Sequence, residues 1–178
     1  ALGTDSVSVS LGGGSAVTET LSVGTASGDA GNYTASVASE NDTDSTGVTV
    51  QEPANFAVSI TDTDSPVVAG ESLTVNATVE NTGDVAGTQT VTLDAGGLGT
   101  DSAAVSLNGG ESTSVALSVA TASGDAGSYT ATVASADSTD STGVTVQESG
   151  TLTVGISSTN GPVVEGGTLT VEASPDGG

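Results

Sequence analysis

The chain repeats itself. Leu2-Gly3-Thr4-Asp5-Ser6 returns as Leu98-Gly99-Thr100-Asp101-Ser102, and Thr25-Ala26-Ser27-Gly28-Asp29-Ala30-Gly31 returns as Thr121-Ala122-Ser123-Gly124-Asp125-Ala126-Gly127. Residues 43–52 reappear unchanged at 139–148. Each pair is separated by the same 96 residues, with no gap. Whatever architecture one unit takes, it must close within that length and be joined to its neighbours in series. The phase divides the 178 residues into three. Residues 1–53 correspond to the C-terminal half of a unit, residues 54–150 make a complete unit, and residues 151–178 correspond to the N-terminal part of another. Only Ser174-Pro175-Asp176-Gly177-Gly178 abandons the pattern of its counterpart, residues 78–82.

Within the complete unit the apolar period is two, the signature of a strand with one buried face. Phe56, Val58 and Ile60 alternate with Ala57, Ser59 and Thr61, and Leu73, Val75, Ala77 and Val79 alternate with Thr74, Asn76, Thr78 and Glu80. The pattern continues through Val91 and Leu93, Val105 and Leu107, Val115 to Val119, Tyr129 to Val133, and Val144 and Val146. Turn chemistry falls between the runs, at Ser65-Pro66, Thr82-Gly83-Asp84, Gly96-Gly97, Asn108-Gly109-Gly110 and Gly124-Asp125. No segment carries helical spacing with caps. The expectation is an all-β chain of tandem immunoglobulin-like, seven-stranded β-sandwiches.

Asp125-Ala126-Gly127-Ser128-Tyr129 has the spacing of a tyrosine corner, in which the phenol packs inward and its hydroxyl bonds to nearby backbone. Asp29-Ala30-Gly31-Asn32-Tyr33 repeats it, so Tyr33 and Tyr129 are expected to be structural residues.

With these motifs, the sequence resembles the cell-adhesion-related domain CARDB, in particular the versions strung in tandem through haloarchaeal surface proteins. The residues that carry the resemblance are Pro66-Val67-Val68-Ala69-Gly70-Glu71, Leu73 to Gly83, and Ser123 to Ala131. The resemblance implies an extracellular structural or adhesive role and transfers no catalytic residue.

Charge narrows the function classes. The chain has 22 Asp and Glu and no Lys, Arg or His, a formal charge of −22. Counterion release from nucleic acid needs cations on the protein, as does a basic membrane patch, so neither partner is expected. No apolar run reaches the roughly 18 residues of a membrane span, so direct membrane insertion is not expected either. The acids are spaced singly between β-formers and turn residues, which reads as a solvated coat on folded structure adapted to high salt. At molar salt the screening length shrinks to about 3 Å.

Without His, Cys or Lys, nucleophile–base triads and thiolate or imidazole zinc sites cannot be built. A carboxylate pair of the glycosidase kind remains formally available. It lacks a floor, because the aromatics are only Tyr33, Phe56 and Tyr129. The chain is therefore not expected to be an enzyme, and no cofactor is expected beyond calcium. Asp62, Asp64, Asp137 and Asp140 are the calcium candidates, because loop carboxylates can converge on an ion that takes six to eight oxygens. Asn32, Asn41 and Asn76 open N-x-[ST] sequons and are candidate glycosylation sites.

The expected function is a stiff extracellular rod or filament outside a halophilic cell. Its partners would be copies of itself, neighbouring repeats, or other surface proteins and glycans. The two partial units are complementary pieces of one sandwich, so strand complementation between subunits is one expected route to a filament. The alternative is an adhesin or virion-fibre stalk whose binding tip lies outside this sequence.

Overall fold

The computed structural model describes residues 2–177; Ala1 and Gly178, the outermost residues of the two partial units, lie outside the described residues. The N-terminal partial unit contributes β1 (Gly31–Ala38) and β2 (Thr43–Val50). The complete unit contributes β3 (Phe56–Thr63), β4 (Val67–Val68), β5 (Ser72–Asn81), β6 (Gly87–Asp94), β7 (Thr100–Leu107), β8 (Ser112–Ala120), β9 (Gly127–Ala134) and β10 (Thr139–Gln147). β11 (Leu152–Thr159) and β12 (Val171–Gly177) follow. A single 3-10 turn at Gly96–Leu98 is the one helical element among the described residues. The chain is all-β.

The complete unit is a sandwich of two sheets. One has the order β3-β5-β8, and the other β4-β10-β9-β6-β7. Every pairing is antiparallel except β4 with β10, where Val67 and Val68 run parallel to Val146 and Gln147. β4 is an addition to the seven expected strands. A two-residue strand is too short to show a period, and its neighbour Pro66 reads only as a turn.

Alternation decides what is buried. On β5 the inward residues Leu73, Val75, Ala77 and Val79 are fully buried, and across the interior so are Val91, Leu93, Ala131 and Val133. Among the described residues Phe56 is the one fully buried aromatic in this core, and Tyr129 packs against it half-buried. Val, Leu and Ala supply the rest, each buried Val or Leu contributing roughly 1.5–3 kcal/mol. Such side chains fill the interior in small increments and let the sheets approach closely. Outward positions are mostly Ser, Thr and Ala: Thr88, Thr90 and Thr92 on β6 are exposed, as are Ser114, Ala116 and Ser118 on β8.

The hairpins of the partial units keep their local geometry, whereas residues 4–11 and 16–24, the counterparts of β7 and β8, form no strands. β1 and β2 pair from Gly31↔Val50 to Ala38↔Thr43, the register that β9 and β10 use from Gly127↔Val146 to Ala134↔Thr139. β11 and β12 reproduce β3 and β5, including the bulge, which falls between Ile60 and Asp62 and again between Ile156 and Ser158. Both copies of the X-Pro bond, Ser65-Pro66 and Gly161-Pro162, are cis. Gly110 closes the turn before β8 at φ 73°, and its counterpart Gly14 has φ 77°. This left-handed conformation strains any residue with a Cβ, so glycine stands at both.

Candidate functional site: the joint between units

Between β2 and β3 lie five residues, Gln51-Glu52-Pro53-Ala54-Asn55, and the complete unit grips them. Asp84, in the loop after β5, accepts the Glu52 N–H through its carboxylate at 3.0 Å and donates its own N–H to the Glu52 carbonyl at 3.1 Å. Thr82 donates its N–H to the Asn55 carbonyl at 2.8 Å. Pro53, between these contacts, has its φ fixed by its ring.

At the centre of the grip is Asn81, the last residue of β5 and fully buried. Its amide oxygen accepts the N–H groups of Asn55 (3.1 Å) and Gly83 (3.2 Å). Its amide nitrogen donates to the carbonyls of Val85 (2.8 Å) and Asn108 (3.2 Å), with a longer approach to Leu107. One side chain thus binds the linker, the β5–β6 loop and the β7–β8 turn into one body. A buried amide without these partners would cost several kcal/mol, so the position demands a residue with both a donor and an acceptor. Glu111 tightens the same pole. Its carboxylate accepts the Asn108 backbone N–H and side-chain amide, each at 3.0 Å, and those two bonds hold its carboxyl below the usual range.

Glycine makes the closeness possible. A Cβ at Gly83 would overlap the Pro53 carbonyl, and one at Gly109 would overlap the Asp84 carbonyl. A groove beside the joint is lined by Thr25, Ser27 and Gly28 of the preceding half-unit together with Gln51, Pro53 and Thr82.

Along the two open edges, aspartates do the work of missing ladder partners. Asp101 on β7 accepts the Ser102 and Ser118 N–H groups, both at 2.8 Å, and so fastens β7 of one sheet to β8 of the other. Those two bonds, Ser118 first, hold its carboxyl below the usual range. Its counterpart Asp5 does the same with Ser22 at 2.9 Å and Ser6 at 2.8 Å, and is lowered likewise. At the opposite edge Asp137 accepts the Phe56 N–H at 2.9 Å and the Gln89 amide, which lower its carboxyl in that order. Asp140 accepts the Ile60 N–H at 2.8 Å, and Ser135 donates to the Phe56 carbonyl at 2.6 Å.

These bonds locate the calcium candidates. Asp137 and Asp140 hold β3 to the β9–β10 hairpin, Asp64 accepts the Thr74 N–H at 2.8 Å, and Asp62 lies past the β3 bulge. The four acids are not gathered together: among the described residues no group of three or more His, Cys, Asp or Glu is placed to hold a metal ion. Of the sequon asparagines, Asn32 and Asn41 are exposed and Asn76 is half-buried on the outer face of β5. Asn32 accepts a bond from the Thr49 hydroxyl at 2.8 Å. Tyr129 donates its hydroxyl to the Asp125 carbonyl at 2.8 Å, and Tyr33 does so to the Asp29 carbonyl at the same distance.

Sequence reasoning passed over Asn81, Asp84 and Asp101. Asn81 stood between the alternating run that ends at Glu80 and the turn read at Thr82-Gly83-Asp84, and was given no role of its own. Asp101 had a usable signal, because Asp5 preserves it one period earlier.

An antiparallel sandwich with a tyrosine corner, joined in series to pieces of like sandwiches, defines a module of the immunoglobulin-like repeat class. Residues 53–151 match the model of the CARDB family, and the chain belongs to that family. Among curated proteins none matches the sequence. Among solved structures it is similar to the β-glucosidase from Listeria innocua in complex with glucose, at 19% identity and a TM-score of 0.44, over 53% of this chain and 16% of that one. It is similar also to the β-glucosidase EmGH1 from Erythrobacter marinus, at 18% identity and a TM-score of 0.42, over 52% of this chain and 15% of that one. The chain thus spans about a sixth of the length of these enzymes. Among the described residues no helix is long and apolar enough to cross a membrane.

Proposed function

We propose that this chain serves as a stiff extracellular rod at a cell surface, a structural rather than catalytic part of a halophile's surface coat. The observation that carries the reading is the gripped joint. Glu52 is bonded twice to Asp84, and on the other side of Pro53 Asn55 is held by Thr82 and Asn81 of the sandwich, so bending at Pro53 must break the bonds between Glu52 and Asp84. Entry and exit add to it. The chain enters the unit at the Asn81 end of β5, where Phe56 pairs with Asn81. It leaves beside Ala69, whose N–H bonds to the Gln147 carbonyl at 2.8 Å, close to the Ser72 end of β5. β5 has ten residues, so entry and exit stand about 33 Å apart, and successive units extend in line rather than fold back.

Membership of the CARDB family supports placing the rod outside the cell. The charge supports a salty environment. Nothing aromatic projects as a recognition anchor: Phe56 is in the core, and both tyrosines are tied down in corners. That favours spacing over recognition. Asn32 and Asn41, both exposed, are the positions where a glycan coat fits this reading. Immunogold labelling with antibodies to residues 54–150 tests it on cells that make the protein. Label on intact cells, standing off from the envelope, is expected; label that requires permeabilisation contradicts it.

A further inference from the structure

The two joints of the chain are not alike. Residues 43–52 and 139–148 are identical, and the identity stops where the linkers begin: Pro53-Ala54-Asn55 in one is Ser149-Gly150-Thr151 in the other. We infer that residues 149–151 form a hinge, so that the chain is stiff across its first joint and bends at its second. The inference rests on the rod reading above and names the place where that rod yields.

Each change removes one part of the grip. Pro53 has its φ locked by its ring, whereas Ser149 keeps the range of an ordinary residue. Ala54 is half-buried and packs against the core, its methyl lying where a Cβ at Gly87 would have to stand. Gly150 has no methyl to pack, is exposed, and would meet nothing within 4 Å even with a Cβ added. Glycine also reaches backbone conformations closed to alanine, so freedom is gained at the residue whose counterpart is wedged. Asn81 holds the first linker through the Asn55 N–H. The residue in its register one period on is Gly177, which pairs with Leu152 as Asn81 pairs with Phe56. Glycine has no side-chain amide, so position 177 cannot make that bond.

The bond that the second linker does make sets the pivot. Ser149 donates its hydroxyl to the Ala69 carbonyl at 2.7 Å, which fastens it to the unit that the chain is leaving. In the first joint the fastenings of Glu52 and Asn55 run to the unit ahead. Motion at the second joint therefore begins at Gly150, the next residue, and not farther back along β10. A rod with one yielding joint takes up shear there and spares the polar bonds of the other.

Nitrogen-15 relaxation on the 178-residue chain in molar salt tests this. Order parameters of about 0.85, those of rigid backbone, are expected at the Glu52, Ala54 and Asn55 amides, and below about 0.6 at Gly150 and Thr151. Ser149→Pro with Gly150→Ala separates the linker from the piece it carries: order at positions 150 and 151 should rise toward the rigid value. Equal order at the two joints of the unaltered chain overturns the hinge, as does a double variant whose second joint stays as mobile as before. High order at both joints would leave the rod standing without its hinge. Low order at both would take down the gripped joint, and the rod with it.

Discussion

Replacing Asn81 by Leu keeps the volume close to the original but removes a donor pair and an acceptor from a buried site. The Asn55 and Gly83 N–H groups and the Val85 and Asn108 carbonyls then lose a partner together. Leaving such groups unsatisfied costs roughly 1–3 kcal/mol apiece where water cannot reach them. The Asn108 carbonyl keeps the Glu111 N–H, which leaves three such groups. Asn81→Leu is therefore expected to lower unfolding free energy by at least about 3 kcal/mol in urea titrations at molar salt; a loss below about 1 kcal/mol would contradict the role given to it. The aspartate fastenings predict a pH dependence with a definite sign. Asp101 and Asp137 have carboxyls held below their ordinary values by N–H donors. Their stabilisation is complete above the unfolded-state pKa of about 3.9 and is lost as pH falls through the depressed folded values. Acid also relieves repulsion among the many carboxylates, which acts in the opposite direction, so the measurement belongs in molar salt where that term is screened. Calorimetry there should give a flat melting temperature from pH 8 to 5 and a fall below about pH 4, smaller in the Asp101→Asn, Asp137→Asn double variant. An equal fall in both proteins would refute the fastening. At this scale the sequence was only partly legible. Tyr33 and Tyr129 could be read because a corner has a local spacing, whereas Asn81 joins segments 26 residues apart and looks in sequence like any turn asparagine.

At the scale of elements, alternation carried most of the information. Strict period-two runs over β3, β5, β8 and β10 fix both the strands and their buried faces, because a one-residue slip would turn Leu73, Val75 and Val79 to solvent. β4 was not legible, since its place is set by β10 rather than by its own two residues. Nor was the grip on the linker, which depends on Gly83 having no side chain where it meets Pro53. Gly83→Ala forces the Pro53 carbonyl away and should loosen the joint while leaving the β-strands paired. Hydrogen exchange is expected to quicken at the Glu52, Asn55 and Asp84 amides by at least tenfold, equivalent to about 1.4 kcal/mol, with the β5 amides unchanged. Uniform quickening across β5 would show instead that Gly83 supports the whole sandwich and not the joint.

For the whole molecule, charge and repeat act together. With −22 and no cation, folding brings like charges together, and salt must raise stability steeply between low and molar concentrations. The repeat, legible from identical ten-residue stretches, supplies length without any new fold. Whether that length is stiff depends on the joint. Small-angle X-ray scattering on arrays of residues 51–146, joined head to tail so that every junction keeps the Gln-Glu-Pro-Ala linker, tests this most directly. In molar salt the maximum dimension should grow in proportion to the number of units at constant cross-section, and Pro53→Gly with Asp84→Ala should abolish that proportionality. A dimension that grows as roughly the square root of unit number in the unaltered array, as for freely jointed beads, would contradict the rod.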